Sequence, residues 1–131
     1  MIAGMAKELQ VVVDCRDPGA QAAFWAEVLG YALEDAGTGD VEGDRASIVA
    51  PDGPRVLFQR VPELKYGKNR VHLDVRAGGP RGTPKAVRVP LVDAEVARLV
   101  ALGATHMRTT DERDDYFGVL RDPEGNEFCV C

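Results

Sequence analysis

Two landmarks recur at almost the same spacing along this 131-residue chain, and that repeat constrains the fold more than any other feature. Leu29-Gly30 is matched by Leu102-Gly103, 73 residues on, and Pro51-Asp52-Gly53 by Pro123-Glu124-Gly125, 72 residues on. Self-similarity at a fixed period is the signature of a duplicated supersecondary unit. The first strands of the two halves are less well registered, since Gln10 and His72 are 62 apart. A Gly/Pro-rich stretch, Ala77 to Val89, takes up the difference and reads as an inserted loop.

Each half reads as a strand, a helix and then further strands. Leu9 to Cys15 is rich in Val and is followed by Asp17-Pro18. Asp is a good helix N-cap and Pro suits the first helical position. Phe24, Trp25, Val28 and Leu29 fall at helical spacing and Gly30 supplies the stop, which predicts a helix over 18–29. The pair Phe24-Trp25 belongs between helix and sheet. Strands follow over 31–35, 45–50 and 55–61. The second half gives a strand over 69–76, a helix over 91–102 ended by Gly103, and strands over 104–109, 116–121 and 126–131. The order is βαβββ twice, in units of about 7–61 and 69–131, an α+β pattern. Each unit alone has too little core, so one domain over 1–131 is expected. Gly53 and Gly125 both follow Pro-acid pairs in hairpin turns, and a left-handed backbone (φ > 0) is expected at both.

Charge narrows the partners. Lys plus Arg is 16 and Asp plus Glu is 21, for a net charge of −5. Phosphate neutralisation needs a basic face, so nucleic acid and anionic membrane surfaces are not expected as partners. No run approaches the roughly 18 apolar residues of a membrane helix, and the N-terminal stretch does not read as a signal peptide. Three cysteines are an odd count, and Cys129 and Cys131 share one strand face. Reduced thiols in a cytoplasmic protein are the simpler reading.

Strand alternation sorts the polar residues. Gln10, Val12 and Asp14 share one face, and Val11, Val13 and Cys15 the other. Arg55, Leu57 and Gln59 share a face, as do His72 and Asp74, with Val71, Leu73 and Val75 behind. Glu127, Cys129 and Cys131 share a face, with Phe128 and Val130 packed against the helix.

Four segments, Asp14 to Tyr31, Asn69 to Val75, Asp93 to Thr105 and Arg121 to Val130, carry a resemblance across nearly the whole chain. With the paired βαβββ order they make it similar to the vicinal oxygen chelate superfamily of glyoxalases, extradiol dioxygenases and bleomycin-resistance proteins. The triplet His72-Leu73-Asp74 and the run Asp122 to Cys129, DPEGNEFC, resemble most the glyoxalase-like proteins common in actinobacteria. The resemblance implies two units curled into a cupped pair of mixed-sheet half-barrels, a site on the inner faces, and a homodimer. It also implies four metal positions, which map onto Gln10, Leu57, His72 and Cys129. Leu57 cannot coordinate an ion, and Cys129 stands where the superfamily usually has a carboxylate. No cofactor is therefore expected and no lactoylglutathione lyase activity. A divalent metal on Gln10, His72 and Cys129 is the alternative.

The expected function is binding of a small organic molecule, or metal-independent chemistry on one. The alternative is a divalent-metal-dependent lyase, isomerase or dioxygenase. His72, two residues before Asp74 and about 7 Å from it at the root, is the candidate catalytic base or substrate hydrogen-bonder, or else a histidine satisfied by a polar neighbour. Gln10, Asp14, Leu57, Gln59, Asp74, Tyr116, Glu127 and Cys129 are the candidate substrate contacts alongside it. Asp14, Asp74 and Glu127 read otherwise as solvated or salt-bridged strand ends. Tyr66, Tyr116 and Phe117 are candidates for a pocket wall or rim. Cys129 serves as a nucleophile only if His72 reaches it as a base. Gly125 is structural, with Asp122 accepting the turn's hydrogen bonds.

Overall fold

The computed structural model describes residues 4–34 and 43–131. The chain divides into two compact units, Met1–Leu64 and Lys65–Cys131. Each has the strand-helix-strand-strand-strand order that the repeat predicts. The fold is α+β, with two four-stranded mixed sheets and two helices.

In the first unit, strand β1 (Val11–Cys15) is followed by helix α1 (Pro18–Leu29) and strands β2 (Ala32–Leu33), β3 (Arg45–Val49) and β4 (Val56–Arg60). The sheet order is β1-β4-β3-β2, with β1 parallel to β4 and the other pairs antiparallel. Helix α1 has the predicted bounds because its ends are fixed locally. The Asp17 carboxylate accepts from the Ala20 N–H at 3.1 Å, Pro18 is the first helical residue, and Gly30 closes the helix at φ 68°. Its inner side, Ala22, Phe24, Trp25 and Val28, is buried with Ile48, Val56 and Phe58 of the sheet. The Phe24 and Trp25 rings meet edge to face at 5.6 Å. Of the strand expected over 31–35, only Ala32–Leu33 pairs, and Asp35 lies outside the described residues.

The second unit runs β5 (Asp74–Val75), α2 (Lys85–Ala101), β6 (Thr105–Glu112), β7 (Asp115–Arg121) and β8 (Glu127–Val130). Its sheet order is β5-β8-β7-β6, with β5 parallel to β8. Val92, Val96 and Leu99 of α2 are buried with Leu120, Phe128 and Val130 of the sheet. Gly118 permits the close approach of helix and strand, since a Cβ there would lie 2.9 Å from Cγ2 of Val96. No helix among the described residues is long and apolar enough to cross a membrane.

Three expectations are corrected. Helix α2 begins at Lys85, six residues before Leu91, and runs through Pro90. A proline inside a helix removes one backbone hydrogen bond, so the apolar spacing after it understates the helix. The first turn is tied down by side chains instead. Lys85 Nζ donates to Asp111 at 2.6 Å and to the Arg113 carbonyl, and Arg88 donates to the carbonyls of Thr83 and Asp114. The strand expected over 69–76 contracts to Asp74–Val75, and Val71, expected behind it, is 80% exposed. Its partner β8 is only four residues long, and just Cys129 and Val130 pair with β5.

The third correction concerns the two turn glycines. Gly125 has φ +89°, as expected. Asp122, buried, accepts from the N–H groups of Glu124 and Asn126, both at 2.9 Å, so the turn is built as its sequence implies. Gly53 is not in the left-handed region. It is a glycine for want of room, because a Cβ there would overlap the hydroxyl end of Tyr31.

Candidate functional site

In the second unit the strand register lines up one row of side chains across all four strands. Asp74 pairs with Cys129, Cys129 with Val119, and Val119 with Arg108. Paired residues face the same side of a sheet, and the helix covers the other side through Gly118, Leu120, Phe128 and Val130. The row forms the floor of a cavity of about 330 Å³, completed by Lys68, His72, Phe117, Glu127 and Cys131 among others. That volume falls within the range of small-molecule sites.

His72 and Asp74 stand at one edge, with Nε2 3.4 Å from Oδ1, ion-pair distance when the ring is protonated. The His72 nitrogen, an Asp74 oxygen and the Cys129 sulfur lie within 4.8 Å of one another. Burial pushes the Cys129 thiol above its ordinary range, and the charge of Asp74 and the neighbouring Cys131 push it further, against the pull of Arg108. A thiol held protonated is a poor nucleophile, so burial and the Asp74 charge work against covalent chemistry at Cys129 although the His72 nitrogen is close. Cys131 is raised in the same way, first by burial and then by Asp74.

Glu127 lines the same cavity, but its oxygens are engaged. One accepts from Lys65 Nζ at 2.9 Å, the other from the Asn69 N–H at 2.9 Å. Partial burial works against its charge, yet these donors outweigh it and hold the carboxyl at about 2. Glu127 therefore fastens the segment before β5 to β8. Tyr116, a candidate substrate contact, is not among the residues lining the cavity. Strand alternation puts it with Gly118 and Leu120 on the helix side, where its hydroxyl donates to Asp93 of α2. Tyr66 is exposed. His106, exposed, lies within 2.9 Å of the Thr109 hydroxyl.

In the first unit the face opposite α1 carries Gln10, Val12, Asp14, Leu57 and Gln59, as alternation predicts. Gln10 accepts from Arg55 at 2.8 Å, and Arg55 also reaches Glu34 at 2.9 Å and Ser47 at 3.2 Å. The Ser47 hydroxyl donates to Glu34 at 2.6 Å, and that bond, then Arg55, holds the Glu34 carboxyl below its ordinary range. Gln59 donates to Asp14 at 3.1 Å. Leu57 is half-buried between them, opposite Val12 and Ser47. Gln10 and Arg55 line a recess of about 760 Å³ with Glu8, Leu9, Val49 and Gly53 among others; Leu57, Gln59 and Asp14 do not line it.

Arg108 is the site residue that sequence reasoning missed. Counted by alternation from His106, it belongs on the helix side of β6. The register shifts between the two residues, so that His106 faces Leu120 while Arg108 faces Val119. One extra residue, Met107, turns Arg108 into the cavity, as bulges beside functional sites do. Nothing in the sequence marks that bulge.

For a metal, the donor set decides. Imidazole, carboxylate and thiol within 4.8 Å make a three-ligand set of the kind Zn²⁺ accepts, and a poor one for Mg²⁺, which prefers oxygen. The residues thus fit a borderline-soft divalent ion at His72, Asp74 and Cys129, with Asp74 in place of the Gln10 expected from sequence.

Residues 10–131 match the family model described as a glyoxalase-like domain. No curated protein sequence matches the chain. Among solved structures, a hypothetical protein from S. aureus is 15% identical with a TM-score of 0.71, covering 97% of this chain and 94% of its own. A glyoxalase/bleomycin resistance protein/dioxygenase family enzyme from Burkholderia phytofirmans PsJN is 20% identical at 0.64, over 92% and 94%. A mutant of the fosfomycin resistance protein FosX from Listeria monocytogenes, in complex with Mn(II) and 1S,2S-dihydroxypropylphosphonic acid, is 13% identical at 0.69, over 99% and 92%. At such identities the likeness is one of fold.

Proposed function

The chain belongs to the glyoxalase-like domain family, and on that premise we propose that the cavity of its second unit binds a small organic molecule, with His72 as the group that hydrogen-bonds it or moves its proton. The observation that carries this reading is the row Asp74, Cys129, Val119 and Arg108, which gives the cavity a polar edge at each end and an apolar middle. A largely apolar pocket with a few convergent polar groups is the usual form of a small-molecule site. His72 takes a proton from a bound hydroxyl or acidic C–H, and the Asp74 carboxylate at 3.4 Å stabilises the imidazolium that forms. Cys129 stays a thiol and serves as wall. Within the first unit, Gln10, Asp14, Leu57 and Gln59 on one sheet face are proposed as ligand contacts of that unit's own surface.

A second reading rests on the three donors within 4.8 Å. A Zn²⁺ ion on His72, Asp74 and Cys129 would supply Lewis-acid polarisation of a substrate oxygen. The protein would then be a metal-dependent lyase, isomerase or dioxygenase, with His72 a ligand and no longer a base.

Membership of the actinobacterial subgroup, a homodimer, a cytoplasmic setting and a single domain over 1–131 belong to the same proposal. The subgroup is supported by the DPEGNEFC run, and the cytoplasmic setting by Cys15, Cys129 and Cys131, which form no disulfide among the described residues. The homodimer and the single domain are supported by the resemblance and the repeat, and the choice of partners by the net charge of −5. The absence of nucleic-acid partners is proposed on that charge alone.

Native mass spectrometry with elemental analysis, on protein purified without chelator, tests the reading. The expected result is a dimer carrying a small organic adduct, with far less than one metal per chain. One Zn²⁺ per chain, lost in His72→Ala, would establish the second reading instead.

A further inference from the structure

We propose that the molecule taken by the second unit's cavity is a small aromatic carboxylate, and that Arg108 is the residue that selects its charge. This rests on the reading of that cavity as a small-molecule site and adds the chemical class.

The cavity's charged groups are not all paired with one another. Of its two acids, Glu127 is neutralised by Lys65 and by the Asn69 N–H. Asp74 lies against His72 and Cys129, at the β5 edge of the sheet. Arg108 is at the opposite edge, on β6, two strands beyond Cys129. Among the described residues its guanidinium has no carboxylate within ion-pair distance and no hydrogen bond, and the same holds for the Lys68 ammonium. Two cations therefore line the cavity with no carboxylate among the described residues within ion-pair distance of either.

The bulge at Met107 makes this arrangement specific. An unbroken ladder would set Met107 opposite Val119 and turn Arg108 towards the helix. The extra residue costs the ladder regular pairing, and its effect is to aim one guanidinium into the cavity. Arg108 is exposed, so water hydrates its charge and leaves the guanidinium accessible to a ligand. The planar guanidinium fork matches a carboxylate through two parallel hydrogen bonds. Beside Arg108 stand Val119 in its own row and Phe117 two residues earlier on the same strand face, and both line the cavity. They offer an apolar wall and an aromatic ring to the body of the ligand. The juxtaposition of an unpaired guanidinium with that wall fits a carboxylate borne on a small ring, and it leaves His72 and Asp74 at the far end of the molecule.

Benzoate and its neutral counterpart benzamide are the probes. Both are titrated into the full-length, ¹⁵N-labelled protein while the amide resonances of Val119, Phe117 and Cys129 are followed. Benzoate is expected to bind at least about tenfold more tightly than benzamide. In Arg108→Met the preference should vanish, so that the two bind alike, and Arg108→Lys should restore part of it. If both bind the parent protein equally, or if the preference survives in Arg108→Met, the charge selection is overturned while the cavity remains a ligand site. If neither perturbs those resonances, the reading of the cavity fails and this inference with it. The parent comparison needs no variant to fold, so the proposal stays falsifiable if Arg108→Met does not.

Discussion

The hydroxyl end of Tyr31 fills the space that a side chain at residue 53 would need. Tyr31 follows the Gly30 cap of α1, and Gly53 lies in the turn between β3 and β4, so the ring end of Tyr31 reaches that turn. Gly53→Ala should destabilise the protein by about 1–2 kcal/mol through overpacking. In a Tyr31→Leu background the same substitution should cost clearly less, and a double-mutant cycle by urea unfolding reads the difference. Equal costs in both backgrounds would mean that the ring is not the obstacle.

Gly125 is constrained differently. At φ +89°, with open space where a Cβ would go, it needs the left-handed backbone and not the room. Gly125→Val should cost about 1–2 kcal/mol, since β-branched residues are strained there. Gly125→Asn should cost less than half as much, because Asn tolerates that region. Thermal melts of the two variants make the comparison.

Acid should weaken the second unit through Glu127. Its carboxyl, held at about 2 in the folded chain, stands near 4.5 when unfolded. A depressed carboxyl contributes its full stability above the unfolded value and loses it as pH falls from about 4.5 towards about 2. Glu127→Gln should therefore flatten that limb of the stability profile and cost about 1–2 kcal/mol at pH 7, from the loss of the Lys65 and Asn69 contacts. Unfolding midpoints between pH 2.5 and 7 in both proteins check this. An unchanged limb would place the acid sensitivity elsewhere.

Alkylation reports the state of the Cys129 thiol. Burial raises it first and the Asp74 charge adds to that, so iodoacetamide should modify Cys129 at pH 8 several-fold more slowly than an unfolded cysteine. Asp74→Asn removes the second cause and should speed the reaction, read by peptide mass spectrometry that separates Cys129 from Cys131. No acceleration would mean that Asp74 does not govern the thiol.

Local signals were legible in the sequence wherever neighbouring residues decide the structure. Asp17, Pro18 and Gly30 fixed α1 to the residue, and alternation placed His72, Asp74 and Cys129 on the cavity side of their sheet. What escaped depends on contacts distant in the chain. The start of α2 is held by side chains reaching Asp111, Arg113 and Asp114. The room at Gly53 is taken by a residue more than twenty positions away. Arg108 owes its place to a bulge, which one strand's pattern does not reveal. Tyr116 is a different case, because counting back by twos from Leu120 already puts it with the helix.

The brevity of β5 divides the cavity's walls by how readily they open. Asn69 is fastened to Glu127, and from Leu73 onward the chain is bonded to β8. Arg70, Val71 and His72 lie between these anchors with no backbone hydrogen bond among the described residues. Segments of that kind open at far lower free energy than the sheet they border. Their amide protons should exchange with solvent early while those of Cys129 and Val119 persist, which hydrogen exchange followed by NMR checks. His72 thus stands on a three-residue span that can shift without any strand unpairing.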